Sequence, residues 1–251
     1  MNIPDPAFLD ALIEEGVDIN GDNIISYGEA EAINSLGVWG NISDMTGIEA
    51  FINLDTLGCG HNPISFLDVS KNSNLIYLEC HSCELQSLNV SGNSKLIVLE
   101  AGNCCDNCGN NLTELDLSKC KNLEHLSIWR NSISSLDLSN NTALKYLCCA
   151  ENVLTELDLS NNPYLIDLDC SDCELTNLNL SNSKELTRLC ASGNLLTTLD
   201  ISNNSNLRHI YLENMPSLFH VCVWAQQFPP RDTHLHYDGS PNAIFTTGCS
   251  K

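Results

Sequence analysis

Residues 75–95, LIYLECHSCELQSLNVSGNSK, superimpose without a gap on 144–164, LKYLCCAENVLTELDLSNNPY, on 165–185, LIDLDCSDCELTNLNLSNSKE, and on 186–206, LTRLCASGNLLTTLDISNNSN. Copies starting at Leu54 and Leu123 follow the same line, and one starting at Leu96 follows it once six extra residues are set aside. A 21-residue period held over seven copies constrains this chain more than anything else in it. A unit that short cannot bury its own apolar face and must stack on its neighbours. The shared pattern is L-x-x-L-x-C-x-x-N-x-L-x-x-L-D-L-S-x-N-x-x, apolar at repeat positions 1, 4, 6, 11, 14 and 16. Each copy holds two short alternating segments, LxC and LDL, which read as two strands per coil separated by turns. Stacking pairs each strand with its equivalent in the next coil, so two parallel ladders enclose a leucine-rich core.

The columns of the repeat assign most polar residues before any site is sought. Asparagine at position 9 (Asn62, Asn131, Asn152, Asn194) and position 19 (Asn72, Asn93, Asn141, Asn162, Asn204) suits buried corners, where an amide satisfies backbone groups that would otherwise lack a partner. Position 15 holds Asp68, Asn89, Asp116, Asp137, Asp158, Asn179 and Asp200, each followed two residues later by serine. Stacked like charges repel, so this column reads as a series of side-chain-to-backbone turns rather than as a ligand site. Position 6 exchanges Cys59, Cys80, Cys149 and Cys170 with alanine and isoleucine, the behaviour of small core residues. Cys83, Cys104 and Cys173 stand at position 9 and Cys120 at position 19, as corner residues, whereas Cys148 and Cys190 at position 5 should be exposed thiols.

These lines resemble leucine-rich repeats, and the 21-residue form with LxCxxNxLxxLDLSxN is similar to the bacterial IRREKO class and to internalin-like surface proteins. The resemblance covers residues 48–215. It implies an α/β solenoid: a right-handed superhelix with two short parallel strand ladders, a helical N-terminal cap over residues 1–47 and an irregular C-terminal cap over 216–251, all one structural unit. It also implies a binding scaffold exposed on a bacterial surface or outside the cell, and an expected monomer.

Within the cap, Asp5 and Pro6 give a helix start, followed by Phe8, Leu9, Leu12 and Ile13 at helical spacing. Next, DINGDNIISYGE matches an EF-hand-like calcium loop at Asp18, Asn20, Asp22 and Glu29, with the Ile24 carbonyl and Ser26 as further oxygen donors. Asn23 replaces the usual glycine, and asparagine is among the residues best able to take positive φ. The same letters also describe a capping box, Ser26 with Glu29, on a turn that needs no metal. Leu36, Val38, Ile42 and Ile48 then read as a degenerate first coil.

With 32 acidic against 11 basic residues and a formal charge of −21, nucleic acid and anionic lipid are poor partners. No stretch approaches the roughly 20 apolar residues of a membrane span, so direct membrane insertion is not expected. The first residues lack the pattern of an export signal, which a chain trimmed of one would also lack. A ligand surface is expected on outward positions of the LxC ladder, where Tyr77, Glu79, Glu100, His125, Trp129, Tyr146, Asp169, Arg188, His209 and Tyr211 make an aromatic and acidic face. Such a face suits a protein or basic peptide segment, or a glycan. The competing readings are a structural spacer and a thiol- or metal-dependent enzyme built on Cys148 and His125; no nucleophile, base and orienter can be assigned from spacing.

Two features fall outside the columns. Cys222 and Cys249 lie in the C-terminal segment, where a disulfide would tie the cap down in an exported protein. The stretch GNCCDNCGNN carries the six extra residues, placed at 105–110 with Cys104 as the corner. Cys105 and Cys108 are left as a zinc pair, a local disulfide or unpaired thiols.

Overall fold

The structure, a computed structural model, describes residues 1–103 and 109–249. The expectations for Cys104, Cys105 and Cys108 therefore lie outside the described residues. The chain divides into two compact units, Met1–Ser132 and Ile133–Lys251, where the repeat suggests one.

In the first unit, helix α1, Pro6–Glu14, begins where the sequence places it. Asp5 caps it by accepting the Ala7 N–H at 2.8 Å, Pro6 occupies the first turn, and Phe8, Ala11 and Leu12 form the buried face. The helix stops at Gly16, which takes φ 78. Helix α2, Tyr27–Glu31, follows the loop and carries the full Ser26/Glu29 capping box. Strand Ser35–Gly37 then opens a parallel ladder continued by Thr56–Gly58, Tyr77–Glu79, Val98–Glu100 and His125–Ser127, each offset by one coil. The degenerate first coil is a true coil: Leu36, Val38, Ile42 and Ile48 are all buried. A second ladder pairs Phe66–Asp68 with Ser87–Asn89.

The second unit repeats the plan. Strands Tyr146–Cys148, Asp167–Asp169, Arg188–Cys190, His209–Tyr211 and His234–His236 form its long ladder. Its second ladder joins Thr198–Asp200, His220–Cys222 and Ile244–Thr246. The segment expected as an irregular cap thus supplies one more strand to the long ladder and two to the second. Cys222 and Cys249 are joined, with their Cα atoms 6.0 Å apart.

The corners are built from the asparagine columns. Asn194 donates to the Cys170 and Ala191 carbonyls and accepts the Leu175 N–H at 3.0 Å; Asn62 does the same for Val38, Cys59 and Ile42. Cysteine can stand in part for this amide: the Cys83 thiol donates to the Cys59 carbonyl at 3.1 Å and Cys173 to Cys149 at 3.4 Å. In the third coil the corner amide is Asn110, which donates to Cys80 and Ala101 and accepts from Leu85. Asn110 thus makes in this coil the bonds that Asn194 makes in its own, although the sequence places the extra residues over 105–110. All seven residues of the position-15 column accept the N–H of the serine two residues on, from Asp68 at 2.8 Å to Asn179 at 3.1 Å. Those bonds hold the Asp116 and Asp158 carboxyls below the usual aspartate range.

Candidate functional site

On the long ladder of the first unit, the strand register stands Tyr77 beside Val98 and Glu100 beside Ser127. The Tyr77 hydroxyl donates to Glu100 Oε2 at 3.2 Å. Burial, with Glu100 next to it, pushes the Tyr77 phenol up to about 12, so it stays a neutral donor. The other Glu100 oxygen lies 4.0 Å from His125 Nε2. Just past these strands, His81, Glu100, Gly102, Asn103, His125, Ser127 and Trp129 line an open hollow of about 350 Å³. A Cβ at Gly102 would stand 3.0 Å from the Trp129 backbone, a tight contact that glycine avoids. The Arg130 guanidinium lies 5.2 Å from the centre of the Trp129 ring, a cation over an aromatic face. Glu79, expected on the same surface, turns instead to His81 Nδ1.

The long ladder of the second unit carries a different arrangement. Arg188 donates to Asp167 at 2.9 Å, approaches Asp169 at 3.8 Å, and sits 5.7 Å from the centre of the Tyr211 ring. His209 stacks on His234 at 5.1 Å and Tyr211 on His236 at 4.8 Å. Tyr146 stands exposed on its own strand. The sequence reading missed His61, His81, Asn103, His234 and His236. His234 and His236 alternate around Leu235 as a ladder strand should, a signal obscured because the repeat spacing fails there.

Of the two thiols expected to be exposed, Cys148 is half-buried and Cys190 is buried. Cys190 is only 6 % exposed, because its register neighbours Asp169 and Tyr211 flank it. Burial, with Asp169 adding to it, pushes the Cys190 thiol up to about 12 and Cys148 up to about 11. Both shifts run opposite to what a thiolate nucleophile requires.

The calcium-like positions share one loop, and Asn23 adopts φ 60 as the motif needs. The donor oxygens are engaged within the loop. Asp18 accepts the Gly21, Asp22 and Asn23 N–H groups, Asn20 that of Asp22, and Asp22 that of Ile24. Glu29 accepts from the Ile19, Asn20 and Ser26 backbone and from the Ser26 hydroxyl, which holds its carboxyl below the usual range. Among the described residues no three of histidine, cysteine, aspartate or glutamate converge closely enough to hold a metal ion.

Solved structures place this architecture. The functional domain of InlJ from Listeria monocytogenes, which includes a cysteine ladder, is 28 % identical, covers 95 % of this chain and superimposes with a TM-score of 0.65. The chain spans 62 % of that domain's length. Internalin C2 from Listeria monocytogenes is 22 % identical over 98 % of this chain and 94 % of its own, with a TM-score of 0.56. The leucine-rich repeat ectodomain of the Arabidopsis thaliana receptor kinase GASSHO1/SCHENGEN3, solved in complex with Casparian strip integrity factor 2, is 18 % identical over 89 % of this chain and 32 % of its own, with a TM-score of 0.63. No protein-family model and no curated protein matches the chain. The fold is a right-handed leucine-rich repeat solenoid. Among the described residues no helix is long and apolar enough to cross a membrane.

Proposed function

We propose that this chain is a non-enzymatic recognition module, outside the cell or on a bacterial surface, that takes a basic peptide segment of a partner protein on its long-ladder face. The observation that carries the reading is the hollow of about 350 Å³ in which Glu100, His125 and Trp129 meet. Its carboxylate suits a lysine or arginine side chain, and the chain's charge of −21 draws such a segment in. That the structural neighbours include internalins and a receptor ectodomain solved in complex with Casparian strip integrity factor 2 supports a binding role on the same kind of scaffold. A glycan fits less well, because Arg130 already covers one face of Trp129 and the Tyr77 hydroxyl is engaged by Glu100.

The test is a panel of lysine- and arginine-rich peptides against acidic controls, titrated by fluorescence anisotropy. Basic peptides should bind the parent chain, and Trp129→Ala and Glu100→Gln should each weaken them roughly 10- to 30-fold, the scale of a central interface residue. Undiminished binding by both variants would show that the hollow is not where the peptide sits. No binding by any peptide would favour the spacer.

For the N-terminal loop, the hydrogen bonds around Asp18 and Glu29 support a cap that holds its shape without calcium. Melting temperatures in millimolar calcium and in chelator should agree to within about 1 °C, since only a ligand of the native state raises stability. A rise of several degrees in calcium would instead show Asp18, Asn20, Asp22, Ile24, Ser26 and Glu29 turning onto the ion.

A further inference from the structure

On the coils preceding the hollow, two histidines meet nitrogen to nitrogen. His61 Nε2 and His81 Nε2 are 3.1 Å apart. Their ring centres are 4.7 Å apart and the planes are at 89°. Strand pairing brings them there, through the His61 N–H bonded to the His81 carbonyl at 3.0 Å. The other nitrogen of His81, Nδ1, is bound to the Glu79 carboxylate. Glycines make room for that carboxylate: a Cβ at Gly58 would stand 3.2 Å from Glu79 Oε2, and one at Gly60 would collide with Oε1.

A carboxylate on Nδ1 keeps the proton of a neutral imidazole at that nitrogen and leaves Nε2 with its lone pair, the arrangement that orients metal-binding histidines. We propose that His61 and His81 are the two protein ligands of a site for a divalent transition-metal ion of the zinc class, with Glu79 as the positioning residue and water completing the coordination.

The ring spacing accommodates such an ion. A metal about 2.05 Å from both nitrogens that far apart subtends an angle of about 100° and sets the ring centres about 4.8 Å apart. A head-to-head N–H···N bond of the same length would hold them about 5.4 Å apart. The observed 4.7 Å is the spacing a shared ion requires and is too short for a linear head-to-head bond. His61 is exposed, which gives an ion a route in, and the acidic surface concentrates cations. His81 also lines the hollow, so the zinc titration is run on the chain without peptide.

Nitrogen-detected NMR of the full chain, labelled with 15N-histidine and titrated with zinc chloride, tests it. One equivalent should move the Nε2 resonances of two histidines into the metal-bound range. Both shifts should vanish in His61→Asn and in His81→Asn, each checked for a cooperative melt. Glu79→Gln should weaken zinc about tenfold while leaving both ligand resonances able to shift at higher metal. Zinc that leaves the two histidine nitrogens in place, whether it stays free or binds thiols, would overturn the proposal. Should a variant fail to fold, the titration of the parent chain still separates these two outcomes.

Discussion

Asn110→Ala should lower the stability of the first unit by about 3–5 kcal/mol, while Asn111→Ala beside it should change it by less than about 0.5 kcal/mol. The two asparagines differ only in what surrounds them. Asn110 is 3 % exposed. Its amide donates to the Cys80 and Ala101 carbonyls, both at 2.9 Å, and its oxygen accepts the Cys83 and Leu85 N–H groups, both at 3.0 Å. Alanine would leave two carbonyls and two N–H groups without that partner, on successive turns of the backbone. Each such group costs about 1–3 kcal/mol when water cannot reach it, and partial relaxation brings the total below the simple sum. Asn111 is exposed, and its side chain makes one long bond, to the Gly109 carbonyl at 3.5 Å. Urea unfolding followed by tryptophan fluorescence compares the two midpoints. A loss below about 1 kcal/mol at Asn110 would show that water or a neighbouring amide replaces it.

The same residue marks where the sequence stops being legible. The repeat announces the ladders, the asparagine corners and the serine-capped aspartate column, because each recurs at a fixed offset and stacking turns that offset into a contact. The third coil breaks the offset. Cys83 and Cys173 at position 9 make Cys104 the natural occupant of the next corner by letter. In the structure Asn110, an amide that donates twice and accepts, makes the corner bonds of that coil. The odd position of Cys190 points it outward, yet side chains on the adjoining strands, Asp169 and Tyr211, close over it. The last strands escape notice because FHVCVW and THLHYD keep the alternation of a strand but not the spacing of the repeat. The histidine pair is hidden for a related reason: His61 and His81 occupy different repeat positions, 8 and 7, so no column aligns them. Only the backbone pairing between coils shows that they meet.

Asp5→Asn should cost about 2–4 kcal/mol and flatten the acid limb of the stability profile. Asp5 does two jobs with two oxygens. Oδ1 caps α1 through the Ala7 N–H. Oδ2 accepts the Ser43 N–H at 2.7 Å, the Ser43 hydroxyl at 3.0 Å and the Asp44 N–H at 3.0 Å, tying the helix to the first coil across almost forty residues of chain. Asparagine caps a helix as well as aspartate does, so the first job survives. The second does not, because an amide NH₂ cannot accept, and Asp5 is only 9 % exposed, so little water can take over. Burial raises the Asp5 carboxyl, but the bonds from Ser43, Asp44 and Ala7 together outweigh it and hold it below 3.8. A carboxyl depressed in the folded state contributes stability that is fully present above its unfolded value and is lost as pH falls through the folded one. Stability of the parent chain should therefore drop as pH falls below about 5, with Asp68, Asp116, Asp158 and Glu29 adding to the fall because their carboxyls are also depressed. Asp5→Asn should start lower at pH 7 and lose less over the same interval, so the two urea-midpoint curves converge toward acid. Parallel curves would mean that Asp5 holds the cap by shape alone, and a curve that starts at the parent's value would mean that α1 docks through Phe8 and Leu12 without the carboxylate.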